Sequence, residues 1–217
     1  MATESARERA TNATRDRILD VALTTLGENP DAAMGDIAAA AGVVRRTVYG
    51  HFPSRLDLLR TLTKRAVSEM TAVLTELGAD GAEAHETWAE FVARVWPLTH
   101  RYRALLALRR GEYGDEIHSL LGPVDELLAD LVQRGQDSEV FARHLPAAIL
   151  SQLAYGTVFA VADSDFSDGT LGARAATITS LLTLGVPEAD AIALASGAYD
   201  RVLHGEVDES SPAAQDG

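Results

Sequence analysis

Apolar residues recur at steps of three and four positions through most of this chain, the spacing that places them on one face of an α-helix. Residues 14–26 carry one such stripe, and residues 55–78 carry a longer one. Runs rich in Val, Ile and Thr, which would indicate β-strands, are scarce. The pattern therefore predicts an all-α protein with helices at 14–26, 34–41, 44–51, 55–78, 82–96, 98–110, 114–134, 146–163, 170–184 and 187–204.

Composition and proline set the predicted limits of these helices. Residues 1–13 are predicted to form a flexible arm ahead of Thr14, which can cap the first helix, and residues 205–217 a disordered tail. Pro97 is expected to break or kink the chain between two helices, because proline lacks the backbone N–H that a helix interior uses. Gly122-Pro123 is expected to do the same within the following helix.

Two short predicted helices are separated by a glycine turn. Ala38 is small, as is needed where two helices cross closely, and Gly42 follows where the backbone must turn with positive φ. Apolar residues of this segment can pack the two helices into a rigid V, namely Ile37, Ala41, Val43, Val48 and Phe52. This is the arrangement of a helix-turn-helix, whose second helix enters the major groove of DNA.

The second short helix carries basic and hydroxyl side chains on its outer face. Arginine offers a fork of donors that fits guanine O6 and N7 or a phosphate, and Thr and Tyr hydroxyls reach phosphates. An ordinary helix hairpin with solvated arginines is the alternative, but the glycine turn, the small residue and the apolar positions in one register favour DNA binding. The predicted DNA-binding residues are Arg45, Arg46, Thr47, Tyr49, His51, Arg55 and Lys64.

The residues directly after the second short helix are typical of the start of another helix. In the segment Pro53-Ser-Arg-Leu-Asp57, the Ser54 hydroxyl can accept a hydrogen bond from the amide three residues on, while Asp57 reaches back. This capping box predicts the start of the long fourth helix.

The charge of the chain is distributed unevenly. The net charge of −13 argues at first against a nucleic-acid partner, but ten basic residues face nine acidic ones up to Met70, against nine and twenty-three beyond it. Such asymmetry is expected of a small DNA-binding domain joined to an acidic domain. The absence of cysteine, and the polar interruptions of the longest apolar run, predict a cytoplasmic protein with no membrane span.

These motifs resemble the N-terminal domain of the TetR family of bacterial transcriptional regulators. The resemblance covers residues 15–62 and rests on Ile18-Leu19, Ala22, Asp36-Ile37-Ala38, Ala41-Gly42-Val43, Thr47-Val48-Tyr49, His51-Phe52-Pro53-Ser54 and Leu58-Leu59. It implies a three-helix helix-turn-helix DNA-binding domain, which we place at 14–58. It also implies a C-terminal helical-bundle domain at 59–204 for ligand binding and dimerisation, in a homodimeric repressor that binds double-stranded operator DNA.

Two positions depart from the usual pattern of that family. Ala33 and Val44 stand where the second and third helices usually begin with a hydroxyl residue. Each missing cap costs about 1 kcal/mol and removes a hydroxyl that often touches phosphate. Asp31 is a candidate replacement cap for the second helix, and DNA binding is expected to be weaker or differently registered than is typical.

Residues 146–162 are apolar on nearly every side, so this helix must be buried on two faces. One face would pack on the chain's own body and the other on a second subunit, in a four-helix interface. The alternative is that these helices close a single large core. The predicted dimer-interface residues are Ile149, Leu153, Val158, Ile178, Leu182, Ile192, Tyr199 and Val202.

The middle helices carry the mixture of aromatic and polar side chains that ligand cavities use. Each aromatic taken singly is more often a core residue, but the resemblance implies a cavity among the helices after the fourth. The predicted residues for a small amphipathic effector are Trp88, Phe91, Trp96, His100, Tyr102, Arg109, Tyr113, Phe141, His144 and Tyr155.

The predicted function is that of a ligand-responsive DNA-binding regulator, a repressor released from its operator by the effector. The sequence shows no catalytic constellation, metal site or cofactor site, so an enzyme is not predicted. Two alternatives remain: a DNA-binding regulator without a small-molecule ligand, and a helical sensor or enzyme with a vestigial DNA-binding head.

Overall fold

The computed structural model describes residues 2–79, 81–102, 105, 108, 112–163 and 169–209. Within this part of the chain the regular elements are all helices, which confirms the all-α prediction. In chain order they are α1 (Ala2–Glu28), α2 (Met34–Ala40), α3 (Arg45–His51), α4 (Arg55–Ala79), α5 (Ala84–Arg101), α6 (Gly114–Asp137), α7 (Ala147–Ala162), α8 (Gly169–Thr183) and α9 (Glu188–Glu209).

The chain divides into two compact units. The first comprises Met1–Glu69 and His100–Gly122, and the second comprises Met70–Thr99 and Pro123–Gly217. The helices α4, α5 and α6 therefore contribute residues to both units. The first unit extends past the boundary predicted at residue 58, because the first half of α4 buries apolar side chains in it. The functional division into 14–58 and 59–204 stays a prediction.

The terminal helices are longer than predicted. The helix α1 starts at Ala2 and includes the predicted arm, whose Ala, Glu and Arg residues favour helix and which lacks Gly and Pro. Thr14 does not cap it, since its hydroxyl donates to the Ala10 carbonyl at 2.9 Å, as inside a helix. The helix α9 continues to Glu209 through the first part of the predicted tail, and residues 210–217 lie outside the described residues.

Neither internal proline ends a helix, so the two separate helices predicted on either side of Pro97 are wrong. Pro97 lies within α5 and Pro123 within α6. A proline costs its helix one backbone hydrogen bond, but tertiary packing supplies most of a helix's stability. Both helices bury side chains on either side of their proline, with Trp96 and Thr99 buried around the first and Val124 directly after the second.

Ion pairs join three helices within the first unit. Arg65 lies 3.0 Å from an Asp20 carboxylate oxygen of α1 and 3.1 Å from one of Glu69 in α4. Arg101, at the end of α5, lies 3.6 Å from the same two carboxylates. Tyr102 donates to Glu69 at 2.8 Å, and burial together with this hydrogen bond raises the pKa of its phenol. The residues of α4 and α5 that belong to this unit are thereby tied to α1.

The second unit contains a group of contacting aromatic rings and helices that pack against their neighbours in the chain. The helix α8 packs against both α7 and α9. The indole N–H of Trp88, which is fully buried, donates to the Ser180 hydroxyl of α8 at 3.0 Å. Arg94 pairs with Glu76 at 2.8 Å and with Glu90 at 2.7 Å, so the end of α4 is linked to α5.

Candidate nucleic-acid interface

A left-handed glycine joins α2 to α3. Gly42 has φ of +66°, which confirms the predicted positive φ and which side chains with a Cβ rarely adopt. The N–H groups of Gly42 and Val43 donate to the carbonyls of Ala39 and Ala38 at 3.1 and 3.0 Å. These paired bonds form a Schellman motif, which satisfies the last carbonyls of α2 and sets the direction in which α3 leaves.

The two short helices are held by a small buried core. Ile37 and Ala38 of α2, Val48 of α3 and Phe52 just after it are all buried, as the predicted V requires. The guanidinium of Arg15 in α1 lies over the Phe52 ring, 5.3 Å from its centroid. The position of α3 is thus determined by packing on one side only, which leaves its other side for a partner.

The free side of α3 presents most of the predicted DNA-binding residues. Arg45, Arg46 and Tyr49 are exposed, while Thr47 and His51 are half-buried. The Arg45 guanidinium lies against Gly35 of α2, where a Cβ would come within 2.6 Å of its nearest nitrogen. Gly35 was not among the predicted site residues, although a glycine inside a helix signals a close approach.

Two predicted DNA-binding residues have partners within the first unit. The guanidinium of Arg55 donates to the backbone carbonyls of Pro30 and Ala32, so it fastens the loop between α1 and α2. Lys64 is exposed on α4 and, after the hydrogen-bonded Arg60, contributes to lowering the pKa of Glu116. Neither residue belongs to α3, and their contact with DNA stays a prediction.

The starts of α2 and α3 lack side-chain caps, as their sequence predicts. Asp31 does not replace the missing cap of α2, because that helix begins after Ala33. Instead the Asp36 carboxylate accepts a hydrogen bond from the Ala33 N–H at 2.8 Å, which is one half of a capping box. Val44 at the start of α3 has no side-chain cap bond and is 69% exposed.

The capping box predicted for α4 is confirmed in altered form. The Asp57 N–H donates to the Ser54 hydroxyl oxygen at 3.1 Å. The hydroxyl in turn donates to the Asp57 carboxylate at 2.7 Å. The carboxylate thus accepts from the Ser54 side chain instead of the Ser54 backbone N–H that a standard capping box would use. The long helix therefore starts at a defined residue after α3.

Several predicted effector residues form one aromatic cluster in the second unit, the Tyr155 cluster, consisting of Trp88, Phe91, Tyr155 and Phe159. The Phe91 ring lies 6.5 Å from Trp88 and 5.7 Å from Tyr155, and Tyr155 lies 4.6 Å from Phe159 between ring centroids. The Tyr155 hydroxyl donates to the thioether sulfur of Met70 at 3.1 Å, which is a weak acceptor. Burial, and then the charge of Asp125, raise the pKa of Tyr155.

The remaining predicted effector residues are dispersed. Phe141 packs on the backbone of α6, where a Cβ at Gly135 would lie 2.0 Å from its ring, so it is a core residue. Trp96 is buried and His144 is exposed in the second unit. His100, Tyr102 and Tyr113 belong to the first unit, and Arg109 lies outside the described residues.

An open cleft of about 310 Å³ borders one of these dispersed residues. It lies within the first unit and is lined by Asp20, Leu23, Thr24, His100 and Arg101. Four of its five lining residues have polar or charged side chains, unlike the residues of the Tyr155 cluster.

The predicted dimer residues fall on different faces of their helices. Ile149 and Leu153 of α7 are about half exposed, as are Leu182 of α8 and Ile192 of α9. Ile178, Tyr199 and Val202 are half-buried. Val158 is fully buried within its own chain, so it faces the core and is not available to a partner.

Within the part of the chain that the structure describes, no helix is long and apolar enough to cross a membrane. The same residues contain no cluster of three or more histidine and carboxylate side chains that could hold a metal ion.

Comparison with known sequences finds a match for the segment that contains α2 and α3. Residues 18–62 match the sequence profile of the bacterial regulatory proteins of the tetR family. The HTH-type transcriptional repressor LfrR of Mycolicibacterium smegmatis is 56% identical over 59 residues, which are 27% of this chain and 29% of LfrR. The match therefore spans less than a third of that relative. Its name describes a repressor, not an enzyme.

Comparison with solved structures finds a similar fold over most of the chain. The TetR-like regulator LfrR from Mycobacterium smegmatis, solved with proflavine, superposes with a TM-score of 0.59 and 26% identity over 84% of this chain and 98% of that one. RolR in complex with resorcinol gives a TM-score of 0.59 at 17% identity, covering 87% and 96%. At that identity the likeness to RolR is one of fold alone.

Ala33→Ser is expected to stabilise the protein by about 1 kcal/mol, because the hydroxyl adds the missing half of the capping box that Asp36 already begins. The measurement is the free energy of unfolding by urea. The matched control is Ala39→Ser near the C-terminal end of the same helix, which offers no N-terminal cap and is expected to cost a few tenths of a kcal/mol. Equal effects of the two substitutions would contradict the assignment of Ala33 as the cap.

Proposed function

We propose that the chain is a homodimeric cytoplasmic repressor of the TetR family of bacterial regulatory proteins, since residues 18–62 match the sequence profile of that family. It binds double-stranded operator DNA through α3 and releases that DNA when a small effector binds. The observation that carries the proposal is a basic, exposed helix face held in place by Gly42 and a buried core.

DNA recognition follows from the side chains on that face. Arg45 and Arg46 supply donors for phosphates and guanine edges, and the Tyr49 hydroxyl supplies a further phosphate contact. These contacts compensate the net negative charge of the chain, because phosphate binding is a local, counterion-releasing interaction. A dimer would place two such helices on half-sites separated by whole turns of the duplex.

Exposed apolar residues on α7 and α8 are the evidence for the proposed dimer. Ile149, Leu153, Gly156 and Ala160 are exposed along one face of α7 at steps of three and four residues. Leu182 adds an exposed apolar side chain on α8, the helix that packs beside it. Small residues between large apolar ones permit close helix contact, and a second copy of the same face buries the whole stripe.

The Tyr155 cluster supports an aromatic effector. Its rings can stack on a flat molecule, and the Tyr155 hydroxyl can exchange its weak thioether acceptor for a better one on the ligand. The negative charge near Tyr155 favours a cationic molecule. The LfrR structure contains proflavine, a planar aromatic amine, so a ligand of this class is proposed.

Release of DNA is proposed to run through α4. This helix contributes Arg55–Glu69 to the first unit and Met70–Ala79 to the second, and Met70 is the residue that accepts from Tyr155. An effector that displaces this hydrogen bond would favour a different position of α4. Such a ligand shifts the equilibrium only by its difference in affinity for the DNA-binding and released states.

Removing the outward side chains of α3 is expected to abolish specific DNA binding. A duplex selected by the purified protein from a random library serves as the operator, with fluorescence anisotropy as the measurement. The double variant Arg45→Ala, Tyr49→Ala is expected to lose at least a hundredfold in affinity and to show a shallower salt dependence, because it makes fewer phosphate contacts. Gln133→Ala on α6 is the control and should bind unchanged. Salt-independent binding, or full affinity of the double variant, would refute the proposed interface.

Placing a charge on the exposed stripe of α7 is expected to separate the dimer. Leu153→Arg should sediment as a monomer, because burying an unpaired guanidinium in an apolar interface is costly. The side chain is 51% exposed in the single chain, so the fold should tolerate the change. Gln133→Arg adds the same charge elsewhere and should remain dimeric. A dimeric Leu153→Arg protein would place the interface elsewhere.

Proflavine is expected to bind the protein and to release the selected duplex. Tyr155→Phe should weaken proflavine binding about tenfold, because it removes the hydroxyl proposed to face the ligand. It should also lower operator affinity, because it removes the hydrogen bond to Met70 whose loss is proposed to move α4. Thr177→Val is the control, since it removes a buried hydroxyl of α8 that is bonded to the Ala173 carbonyl. Unchanged operator affinity at saturating proflavine would contradict the proposed effector class.

A further inference from the structure

The apolar side chain of Val44 lies on the surface and does not belong to the buried core. It is 69% exposed at the start of α3. A valine there forgoes the cap that serine or threonine would supply, at a cost of about fivefold in the equilibrium constant of helix formation. Among the described residues, its isopropyl group buries little apolar surface, so a partner bound by α3 is where this side chain could bury it.

The surroundings of Val44 narrow the kind of group that it can contact. In a helix-turn-helix, the first residues of the recognition helix are those that meet base edges in the major groove. The neighbouring Arg45 and Tyr49 supply polar contacts, and the Arg45 guanidinium lies against Gly35 of α2. Val44 has neither donor nor acceptor in its side chain, so it can recognise only an apolar group.

The major groove offers one such group on an unmodified base pair, the C5-methyl of thymine. We propose that Val44 reads a thymine methyl in each half-site of the operator, and that it is a specificity-determining residue of this chain. The proposal rests on the proposed function, since it assumes that α3 enters the major groove. It also explains how an uncapped, exposed valine can benefit the protein: the methyl contact adds discrimination where a serine would add a sequence-blind phosphate contact.

The test replaces thymine by deoxyuridine, which removes the methyl and leaves base pairing unchanged. A selected duplex is rebuilt with a single substitution at each thymine position in turn, and binding is measured by anisotropy. One position in each half-site is expected to lose about fourfold in affinity, the factor that corresponds to burying one methyl-sized group. Val44→Ser is expected to bind the normal and the substituted duplex equally well. Val44→Thr, which keeps one methyl, should retain part of the difference.

Ala33→Ser is the matched control, because it adds a hydroxyl cap to α2 without changing α3. It should show the same deoxyuridine sensitivity as the unmodified chain. The proposal is overturned if no thymine position is sensitive, or if Val44→Ser remains sensitive at the same position. Failure of the unmodified chain to bind any selected duplex would refute the proposed function itself, whereas tight binding without deoxyuridine sensitivity would refute only the methyl contact.

Discussion

The close crossing of α2 and α3 is the constraint on which the candidate interface depends. Ala38 lets the helices approach, and Gly42 turns the chain through a backbone conformation that residues with a Cβ rarely adopt. The Schellman bonds then close the end of α2, so α3 leaves in one direction. Every outward side chain of α3 takes its position from this turn, and a small shift there would move all the DNA contacts predicted for α3 together.

The start of α3 lacks a stabilising side-chain cap and has an exposed apolar side chain in its place. The helix α4 has a capping pair in Ser54 and Asp57, and α2 has half of one through Asp36. The helix α3 has none, and exposes Val44 instead. Local rules are most often broken at functional sites, where binding supplies what folding does not. Under the proposed function, the missing cap at Val44 is a property of the proposed DNA-binding surface.

The two compact units share helices, which bears on how a ligand could act. Helix α4 contributes to the buried core of both units, and its Met70 accepts the Tyr155 hydroxyl in the second. The Tyr155 hydroxyl has a weak acceptor in the Met70 sulfur, whereas the Trp88 N–H of the same cluster has a stronger one in the Ser180 hydroxyl. Under the proposed function, the Tyr155 hydroxyl is therefore the group that a ligand would engage. The charged cleft in the first unit, by contrast, is lined by residues of the ion-pair network that fixes α1.

Local sequence alone determined the features that depend on neighbouring residues: the positive φ of Gly42, the pairing of Ser54 with Asp57, and the apolar stripe of the short helices. These follow from steric limits and hydrogen bonds within a few residues. Tertiary structure decided the rest. Packing on both sides carried α5 through Pro97, turned Val158 into the core, and gave Arg55 backbone carbonyls 23 and 25 residues away as partners. Such outcomes depend on which distant segments meet, and the period of a helix does not specify its neighbours.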